Sequence, residues 1–215
     1  MKNIVCLISG RGSNLEALLK VAHEQDWVRT LGAQFAAVIS NRADAAGLNF
    51  ARAAGMATRV LDHRGFESRE LFDTALAEEI DAHQPTLIVL AGFMRVLTAP
   101  FVDRYRGRLI NIHPSLLPAF PGLATHRQAL DYGVRVHGAT VHFVSHEVDG
   151  GAIIGQAVVP VRADDTEDAL AARVLAQEHV LLPRCVRLIL EDKVGLREGR
   201  MWCAPGVAQQ LLVTV

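Results

Sequence analysis

Thr86-Leu87-Ile88-Val89-Leu90-Ala91 predicts the most strongly buried strand of the chain, because an uninterrupted apolar run of this length is typical of a strand covered on both faces. Helical patterns flank the run, at residues 66–83 before it and at residues 100–105 after it. The next apolar run, residues 109–112, predicts another strand. Because a helix separates each strand from the next, the order favours parallel pairing through crossover connections.

The same alternation extends toward the N-terminus. Three further apolar runs predict strands, at residues 3–9, 35–39 and 58–61. Helical spacing begins at Leu15 and Leu18, and residues 45–54 predict a second helix that ends at Gly55. Continuous apolar strands that alternate with helices predict an α/β fold with a doubly wound, mostly parallel sheet.

The C-terminal half has a different pattern. Residues 136–144 and 152–161 are two long β runs, which predict antiparallel additions to the sheet. Residues 166–190 predict a long helix, for which Thr166 is a suitable N-cap. A small terminal hairpin is predicted around a turn at residues 197–200.

Composition limits the possible partners. The chain has 215 residues, of which 50% are hydrophobic. Its formal net charge is −1, so its charge does not favour binding to nucleic acid or to an anionic membrane. No apolar stretch is long enough to span a bilayer, and the first apolar run is too short for a signal peptide. Cys6, Cys185 and Cys203 form no Cys-x-x-Cys pair, so neither a disulfide framework nor a zinc site is expected. A cytoplasmic enzyme is predicted.

Asn111-Ile112-His113-Pro114-Ser115-Leu116-Leu117-Pro118 begins in the strand predicted at residues 109–112. Residues two apart on a strand share a face, so Asn111 and His113 should project together at its carboxyl end, where open α/β sheets bind ligands. An amide and an ionisable imidazole aimed at one point suit a carbonyl carbon that becomes tetrahedral and negatively charged. Taken alone, the pair is more simply explained as a strand end with satisfied polar side chains.

Ser9-Gly10-Arg11-Gly12-Ser13-Asn14-Leu15 lies between the first predicted strand and the first helix. Glycines let the backbone approach a phosphate, the helix N-terminus supplies N–H donors, and Ser13 and Asn14 add side-chain donors. The loop is not the full dinucleotide fingerprint, because Leu15 stands at the third glycine position, and it lacks a Walker lysine. It therefore favours a mononucleotide-like phosphate, although a tight turn with a helix cap explains the loop alone equally well.

Ala91-Gly92-Phe93-Met94-Arg95-Val96-Leu97 follows the most strongly buried predicted strand. Its apolar side chains suit the packing of a flat heteroaromatic ring, but several of them, Phe93 above all, fit the protein core as well. Gly92 is the better indicator of a ligand, because a backbone close to a ligand often needs a missing side chain.

Asp149-Gly150-Gly151 forms a turn after the β run that carries His142. A carboxylate close to a histidine holds its tautomer and favours the protonated ring, although an aspartate in such a turn often bonds only its own backbone. A metal site of His113, His137 and His142 needs a convergence that the sequence does not show, so no metal is expected. Four other histidines are predicted to be solvated surface groups: His23, His63, His83 and His146.

Glu178 lies midway along the predicted long helix. A carboxylate on the inward face of this helix could bind a substrate amine or a sugar hydroxyl. Without further context, a solvated helical glutamate is the simpler explanation.

Together these segments resemble the glycinamide ribonucleotide formyltransferases, the folate-dependent formyltransferases of purine synthesis. The similarity runs from Ile4 to about Leu190 and rests on several motifs in the right order. The motifs are Leu7-Ile8-Ser9-Gly10-x-Gly12-Ser13-Asn14-Leu15, Leu90-Ala91-Gly92-Phe93-Met94-Arg95, Asn111-Ile112-His113-Pro114-Ser115-Leu116-Leu117-Pro118, Pro121-Gly122 with Thr125-His126-Arg127-Gln128-Ala129-Leu130, and Val141-His142-Phe143-Val144 through Val148-Asp149-Gly150-Gly151. The resemblance implies one Rossmann-like formyltransferase domain over residues 1–215, with a phosphate- or nucleotide-binding half (1–105) and a catalytic and folate-binding half (106–215).

The resemblance also implies residue roles. The implied catalytic group is Asn111, His113 and Asp149, with His142 in support. The implied ribonucleotide contacts are Gly12, Ser13 and Asn14 to the phosphate and Glu178 to the ribose. The resemblance places 10-formyltetrahydrofolate, the formyl-donor cosubstrate, against Arg69, Met94, Arg95, Val96, Leu97 and the Asp149 loop. Two positions depart from the family pattern: Arg11, which adds a charge near the phosphate, and Ala119, at a predicted surface turn.

The implied reaction is formyl transfer from 10-formyltetrahydrofolate to the amine of glycinamide ribonucleotide, with no metal and no covalent enzyme intermediate. Asn111 and protonated His113 would stabilise the oxyanion of a tetrahedral intermediate. Asp149 would keep His113 charged and help to move a proton from the attacking amine to the leaving nitrogen. The expected partners are small molecules, with no nucleic acid and no membrane, and the chain is expected to be a monomer or a homodimer.

Three alternatives remain. A methionyl-tRNA formyltransferase shares the motif around Asn111 but is expected to carry a further C-terminal domain and a basic surface, whereas this chain ends at Val215 and is nearly neutral. A formyltetrahydrofolate hydrolase is expected to carry an extra N-terminal domain, whereas the first strand starts at Asn3. A non-catalytic nucleotide-binding module explains the glycine loop but leaves Asn111, His113 and Asp149 without a purpose.

Overall fold

The computed structural model describes residues 1–214, and the chain divides after Asn111 into two compact units. Strand β5 (Leu109–His113) contains the point of division. Within residues 1–214, no helix combines the length and the apolar character that crossing a lipid bilayer requires.

The first unit is an all-parallel arrangement of strands with connecting helices. Its other strands are β1 (Lys2–Ile8), β2 (Ala33–Ser40), β3 (Thr58–Val60) and β4 (Leu87–Leu90). Its helices are α1 (Ser13–Glu24), α2 (Trp27–Leu31), α3 (Gly47–Ala53), α4 (Arg69–Asp81) and α5 (Ala99–Arg104), with a 3₁₀ turn at His63–Gly65. The strands are ordered β3-β2-β1-β4-β5, all parallel. The order reverses between β1 and β4, and ligands bind at the carboxyl ends of strands at such a switch point.

Strands β1 and β4 form the core of the first unit. Ile4, Leu7 and Val89 are all fully buried, as expected for strands that carry helices on both faces. Leu15 and Leu18 on α1 are also fully buried, so the predicted helical spacing marks the inward face of that helix. Burial of each such side chain stabilises the fold by about 1.5–3 kcal/mol.

The second unit is a mixed arrangement. Its strands are β6 (Val136–Phe143), β7 (Ile153–Pro160), β8 (Val194–Arg197), β9 (Arg200–Cys203) and β10 (Leu212–Thr214). Its helices are α6 (Thr125–Tyr132) and α7 (Glu167–Leu190), with a 3₁₀ turn at Ala208–Leu211. Strand β7 pairs antiparallel with β6 and parallel with β10, and β8 and β9 form a separate hairpin. The predicted α/β fold, mostly parallel with antiparallel additions in the C-terminal half, is confirmed.

The predicted long helix is also confirmed in detail. Helix α7 begins after Thr166, whose hydroxyl accepts a hydrogen bond from the backbone N–H of Ala169 at 3.1 Å. The helix contacts β6 and β7. Leu170, Val174 and Leu181 on that helix are fully buried, so they supply much of the apolar surface that holds the second unit together.

Several boundaries differ from the predictions for local reasons. Helix α4 begins at Arg69 and not at Phe66, because Ser68 accepts a hydrogen bond from the backbone N–H of Leu71 and caps the helix there. Helix α2 has five residues and β10 has three. Neither was predicted, because elements this short carry too little periodicity to be recognised.

Candidate active site

The carboxyl ends of the strands in the first unit surround a pocket of about 460 Å³. Residues after β1, β2 and β4 and in the 3₁₀ turn that follows β3 line it: Ser9, Gly10, Arg11, Gly12, Ser13, Asn14, Asn41, Arg42, His63, Ala91, Gly92, Met94 and Arg95. The pocket therefore lies at the switch point of the strand order, and it contains the whole glycine loop that the sequence singled out.

Gly12 shapes this loop. Its φ angle is +78°, and a Cβ atom placed on it would lie 2.7 Å from the Cα of Gly47. Only glycine meets both conditions without strain. No side chain caps helix α1 at Gly12, which is the arrangement that lets a helix N-terminus bind an anion.

Ser9 ties the glycine loop to the loop after β4. Its hydroxyl accepts a hydrogen bond from the backbone N–H of Met94 at 2.8 Å and donates one to Oδ1 of Asn41 at 2.6 Å. Asn41 Nδ2 in turn lies 3.2 Å from Nδ1 of His63. This chain of contacts runs along the carboxyl edge of the sheet, from the end of β4 to the turn after β3.

Sequence reasoning missed two of these pocket residues. Asn41 was not singled out as a candidate, and His63 was predicted to be a solvated surface group. The second prediction was wrong, because the His63 side chain is only 24% exposed and lines the pocket. Their position in the sequence could have identified both residues. Asn41 follows β2 and His63 follows β3, so they lie at the same carboxyl edge of the parallel sheet as Ser9, which follows β1.

The segment after β4 presents apolar side chains to solvent. Met94 is 67% exposed and Val96 is 48% exposed, whereas Phe93 and Leu97 are buried. The core explanation is therefore correct for Phe93 and Leu97. Exposed methionine and valine side chains beside Gly92 leave an apolar surface that a flat ring can cover.

The structure also places the two arginines that the resemblance assigns to the formyl donor. The Arg95 guanidinium lies 5.9 Å from the centre of the Phe72 ring, and its Nε is buried with no hydrogen-bond partner in residues 1–214. Arg69 is exposed at the first position of α4. The loop ends where the backbone N–H of Thr98 donates to Oδ2 of the buried Asp73 at 2.6 Å.

The second unit contains a buried cluster around His113. His113 is 5% exposed, and its Nδ1 lies 3.4 Å from Oδ2 of Asp149. Its Nε2 lies 3.0 Å from the backbone oxygen of Phe120. The predicted approach of Asp149 to His113 is therefore present in the structure.

Both ring nitrogens of His113 face hydrogen-bond acceptors. The Phe120 carbonyl can only accept a hydrogen bond, so Nε2 must carry a proton to bond it. The Asp149 carboxylate, on the side of Nδ1, is also an acceptor. The 3.4 Å separation is longer than a normal hydrogen bond, which leaves Nδ1 able to contact another oxygen.

Asp149 is held by its turn. Its φ angle is +54°, and Oδ2 accepts a hydrogen bond from the backbone N–H of Gly122 at 2.8 Å. A Cβ atom on Gly151 would lie 1.7 Å from the carbonyl oxygen of Phe143, so the turn needs glycine there. The turn therefore aims the carboxylate back toward β5 and β6.

His142 is a second neighbour of this carboxylate. Its Nε2 lies 3.7 Å from Oδ1 of Asp149, and its Nδ1 lies 3.0 Å from the backbone oxygen of Phe143. Burial lowers the pKa of His142, more than the nearby Asp149 raises it, and the charge of His113 also lowers it. A neutral His142 does not form an ion pair with the Asp149 carboxylate, so it does not compete with His113 for that charge.

The backbone after His113 is fixed by neighbouring side chains. Thr140 accepts a hydrogen bond from the Leu117 N–H at 3.1 Å and donates to the Ser115 carbonyl at 2.7 Å. Gln156 donates to the Leu117 carbonyl at 2.9 Å, and Thr125 donates to the Pro114 carbonyl at 2.7 Å. These contacts hold the loop that carries Phe120 and so preserve the acceptor for His113.

Two further predicted residues are placed as follows. Asn111 is half-buried on β5, two residues before His113, so the alternation of the strand puts both side chains on one face. Glu178 is buried on α7 with 6% exposure, so the alternative of a solvated helical glutamate is wrong.

The two fully buried cysteines are poorly suited to act as nucleophiles. Burial raises the pKa of the Cys6 and Cys185 thiols to about 12, which keeps both protonated. Among residues 1–214, no three histidine, cysteine, aspartate or glutamate side chains are grouped so as to hold a metal ion.

Comparison with known proteins agrees with this arrangement. A family model described as Formyl transferase matches residues 2–186. The chain is 50% identical to the phosphoribosylglycinamide formyltransferase of Escherichia coli (strain K12) over 200 aligned residues. These residues are 93% of this chain and 92% of that protein. Glycinamide ribonucleotide transformylase 1 from Symbiobacterium toebii has a TM-score of 0.89 and 46% identity, covering 94% of each chain. A formyltetrahydrofolate deformylase from Pseudomonas syringae pv. tomato str. DC3000 has a TM-score of 0.85 and 29% identity, covering 94% of this chain and 65% of that one. The resemblance drawn from the sequence motifs is confirmed, and the chain belongs to the formyl transferase family.

Proposed function

We propose that this chain transfers the formyl group of 10-formyltetrahydrofolate to the amine of glycinamide ribonucleotide. The products are formylglycinamide ribonucleotide and tetrahydrofolate, in de novo purine synthesis. The family, and the activity named for the Escherichia coli relative at 50% identity, support the proposal. The observation that carries it is the buried His113–Asp149 pair, in which both ring nitrogens face acceptors.

Four residues are assigned to the ribonucleotide. Gly12, Ser13 and Asn14 bind the phosphate through backbone and side-chain donors, supported by their place in the pocket of the first unit. The Glu178 carboxylate accepts from a ribose hydroxyl. Its place on helix α7 supports this role, because a carboxylate held at 6% exposure on a long helix has a fixed position.

The formyl donor fits the segment after β4. Met94 and Val96 offer exposed apolar surface for its fused ring system, and Gly92 leaves room for close approach. Leu97 is only 8% exposed and contributes to this site from the protein core. Arg69 and Arg95 supply cations for the carboxylates of its glutamate portion. The Arg95 Nε that is buried without a hydrogen-bond partner in residues 1–214 fits an additional acceptor.

Asn111 and His113 stabilise the charge that develops during transfer. Attack of the neutral amine on the formyl carbon produces a tetrahedral carbon with a negatively charged oxygen. The side-chain amide of Asn111 and the Nδ1–H of His113 donate hydrogen bonds to that oxygen. Loss of one such donor typically costs about 10²–10³ in rate.

Asp149 keeps His113 protonated and takes part in proton movement. The attacking amine must lose a proton, and the leaving folate nitrogen must gain one. Asp149 accepts the proton directly or through a water and returns it by way of His113. His142 supports Asp149 from the other side as a neutral ring.

In this proposal the protein is a cytoplasmic enzyme that acts on small molecules as a monomer or a homodimer. No nucleic acid or membrane takes part.

A substrate panel tests the proposal. Purified protein and 10-formyltetrahydrofolate are incubated with glycinamide ribonucleotide, with charged initiator tRNA, or with buffer alone, and products are identified by mass spectrometry. Formylated ribonucleotide in the first reaction alone is the expected result. Formylated tRNA would contradict the proposal. Free formate that is released in buffer alone as fast as the formyl group is transferred to the ribonucleotide would also contradict it, because that release is the reaction of a deformylase.

A further inference from the structure

The Nδ1 atom of His63 contacts Asn41 and also lies 3.9 Å from Oδ1 of Asp62. That nitrogen lies 3.2 Å from Nδ2 of Asn41 and 3.1 Å from the Asn41 backbone oxygen. No hydrogen bond or ion pair in residues 1–214 engages its Nε2. Because His63 lines the pocket that contains the glycine loop, this second nitrogen is available to a bound molecule.

The orientation of the Asn41 amide follows from its neighbours. The Met94 N–H donates to the Ser9 hydroxyl, so the hydroxyl proton is directed to Asn41 as a donor. Asn41 must therefore present Oδ1 to Ser9 and Nδ2 to His63. Asn41 thus contacts Nδ1 through both its side-chain amide and its backbone carbonyl, and it holds the ring with Nε2 turned away from these contacts.

The position of the ring is fixed from two other directions. The His63 ring meets the buried Phe72 ring edge-on, with centroids 6.3 Å apart and an interplanar angle of 81°. Asp62 caps the 3₁₀ turn that carries His63 by accepting from the Arg64 backbone N–H at 3.0 Å. A donor whose ring is held in this way loses little freedom when it binds a ligand.

The charges around His63 suit an anion. Arg11, Arg42 and Arg95 line the same pocket. The carboxylate next to His63, on Asp62, is paired with Arg64 at 2.6 Å, which offsets its repulsion of a bound anion. Arg42 is itself paired with Asp44 at 2.6 Å, so Arg11, Arg95 and the His63 N–H are the groups that favour a phosphate monoester over a neutral or cationic ligand.

We propose that His63 is a further substrate-binding residue of this pocket, with its Nε2–H donating to the phosphate monoester, and that the Ser9–Asn41 pair holds the ring in position to do so. This inference rests on the proposed function for the identity of the phosphate, which is the 5′-phosphate of the ribonucleotide. It adds a donor from the turn after β3 to those of the glycine loop.

Binding of inorganic phosphate to the full chain tests the inference without any assay of formyl transfer. Calorimetric titrations compare the wild type with His63→Ala, His63→Gln and the control His23→Ala, which removes an exposed histidine at the end of α1. We expect His63→Ala to weaken binding about tenfold or more, as for loss of a hydrogen bond to a charged group. His63→Gln, which keeps an N–H donor, should recover most of the affinity, and His23→Ala should match the wild type.

Unchanged phosphate affinity in His63→Ala, or a wild type that does not bind phosphate, would overturn the inference. Long-range ¹H–¹⁵N NMR gives a second test, with the His63 signals assigned by their loss in His63→Gln. A proton on Nε2 is expected, and a neutral ring protonated only on Nδ1 would contradict it. Phosphate binding that depends on His63 in a protein that fails to formylate glycinamide ribonucleotide would refute the proposed function alone.

Discussion

The pocket of the first unit and the His113 cluster of the second are built in opposite ways. The pocket is open and cationic, and its shape depends on the backbone at Gly12 and on exposed Arg11. The cluster is buried, with His113 at 5% and His142 at 2% exposure, and consists of side chains that face one carboxylate.

The difference matches two separate tasks. A soluble anion must enter and leave, so its site needs access and several moderate contacts. A charge that exists only in the transition state is stabilised most by donors fixed in a site with little water. Changes in the pocket should therefore act mainly on KM, and changes in the cluster mainly on kcat.

The largest expected effect is that of Asp149→Asn. The substitution keeps the shape and an acceptor for the Gly122 N–H but removes the charge that favours protonated His113. We expect kcat to fall by about 10²–10³ while KM for both substrates changes less than about threefold.

Asp192→Asn is the matched control, because Asp192 has nearly the same left-handed φ, +55° against +54° for Asp149, and is exposed. Its kinetics should be those of the wild type. A loss carried by KM in Asp149→Asn would break the proposed division between the two regions.

Gly12→Val should produce the next largest effect. The new Cβ would clash with Gly47 and displace the loop, so we expect KM for the ribonucleotide to rise about tenfold or more. Gly55→Val is the control, because Gly55 has a φ of +75° but open space around its Cβ position. It should cost about 1–3 kcal/mol of stability and leave KM unchanged. Equal KM values for the ribonucleotide in Gly12→Val and Gly55→Val would show that this pocket does not bind the phosphate.

The pH dependence of stability should identify the second unit as the acid-sensitive one. Burial, and to a smaller degree the neighbouring His126 and His113, lower the pKa of His137 to about 4. Since the unfolded chain has a histidine pKa of about 6.5, it binds the proton more tightly, and stability falls as pH drops from 6.5 toward 4. The expected loss is on the order of 2 kcal/mol.

Urea unfolding at pH 7 and pH 5 measures this effect. His137→Asn should flatten the pH dependence, and His23→Asn, at an exposed site, should keep it. An undiminished slope in His137→Asn would place the acid sensitivity elsewhere.

The smallest expected effect is that of Arg11→Ala. Arg11 is exposed at the pocket, so its attraction to the phosphate is screened by water and salt. We expect KM for the ribonucleotide to rise about two- to fivefold at low ionic strength. At about 0.5 M salt, KM should approach the wild-type value. Lys20→Ala, at a 73% exposed side chain on α1, is the control and should change nothing. A salt-independent rise would mean that Arg11 contributes by shape and not by charge.

The sequence predicted the features that local patterns encode. The apolar run at β4 marked the core, and the glycine loop and the Asn111-x-His113 spacing marked two strand ends. Asp149 was recognised because a glycine turn can bend a carboxylate back over a strand, and the structure places it 3.4 Å from His113.

Other contacts left no local pattern to read. Ser9 and Asn41 are 32 residues apart, and Asn41 and His63 are 22 apart, so their meeting depends on how the strands are ordered. The acceptor for His113 Nε2 is the backbone oxygen of Phe120, and a backbone group carries no residue-type signal. Strand β10 joins β7 through three residues only, which is too short for a periodicity to be seen.

The most direct test of the account is a double-mutant cycle on His113 and Asp149. Turnover numbers for formyl transfer to glycinamide ribonucleotide are measured for the wild type, His113→Ala, Asp149→Asn and the double mutant. If the two residues act as one catalytic unit, the double mutant should be no more than about threefold slower than the slower single mutant. Losses that multiply would contradict the account, because Asp149 would then work independently of His113.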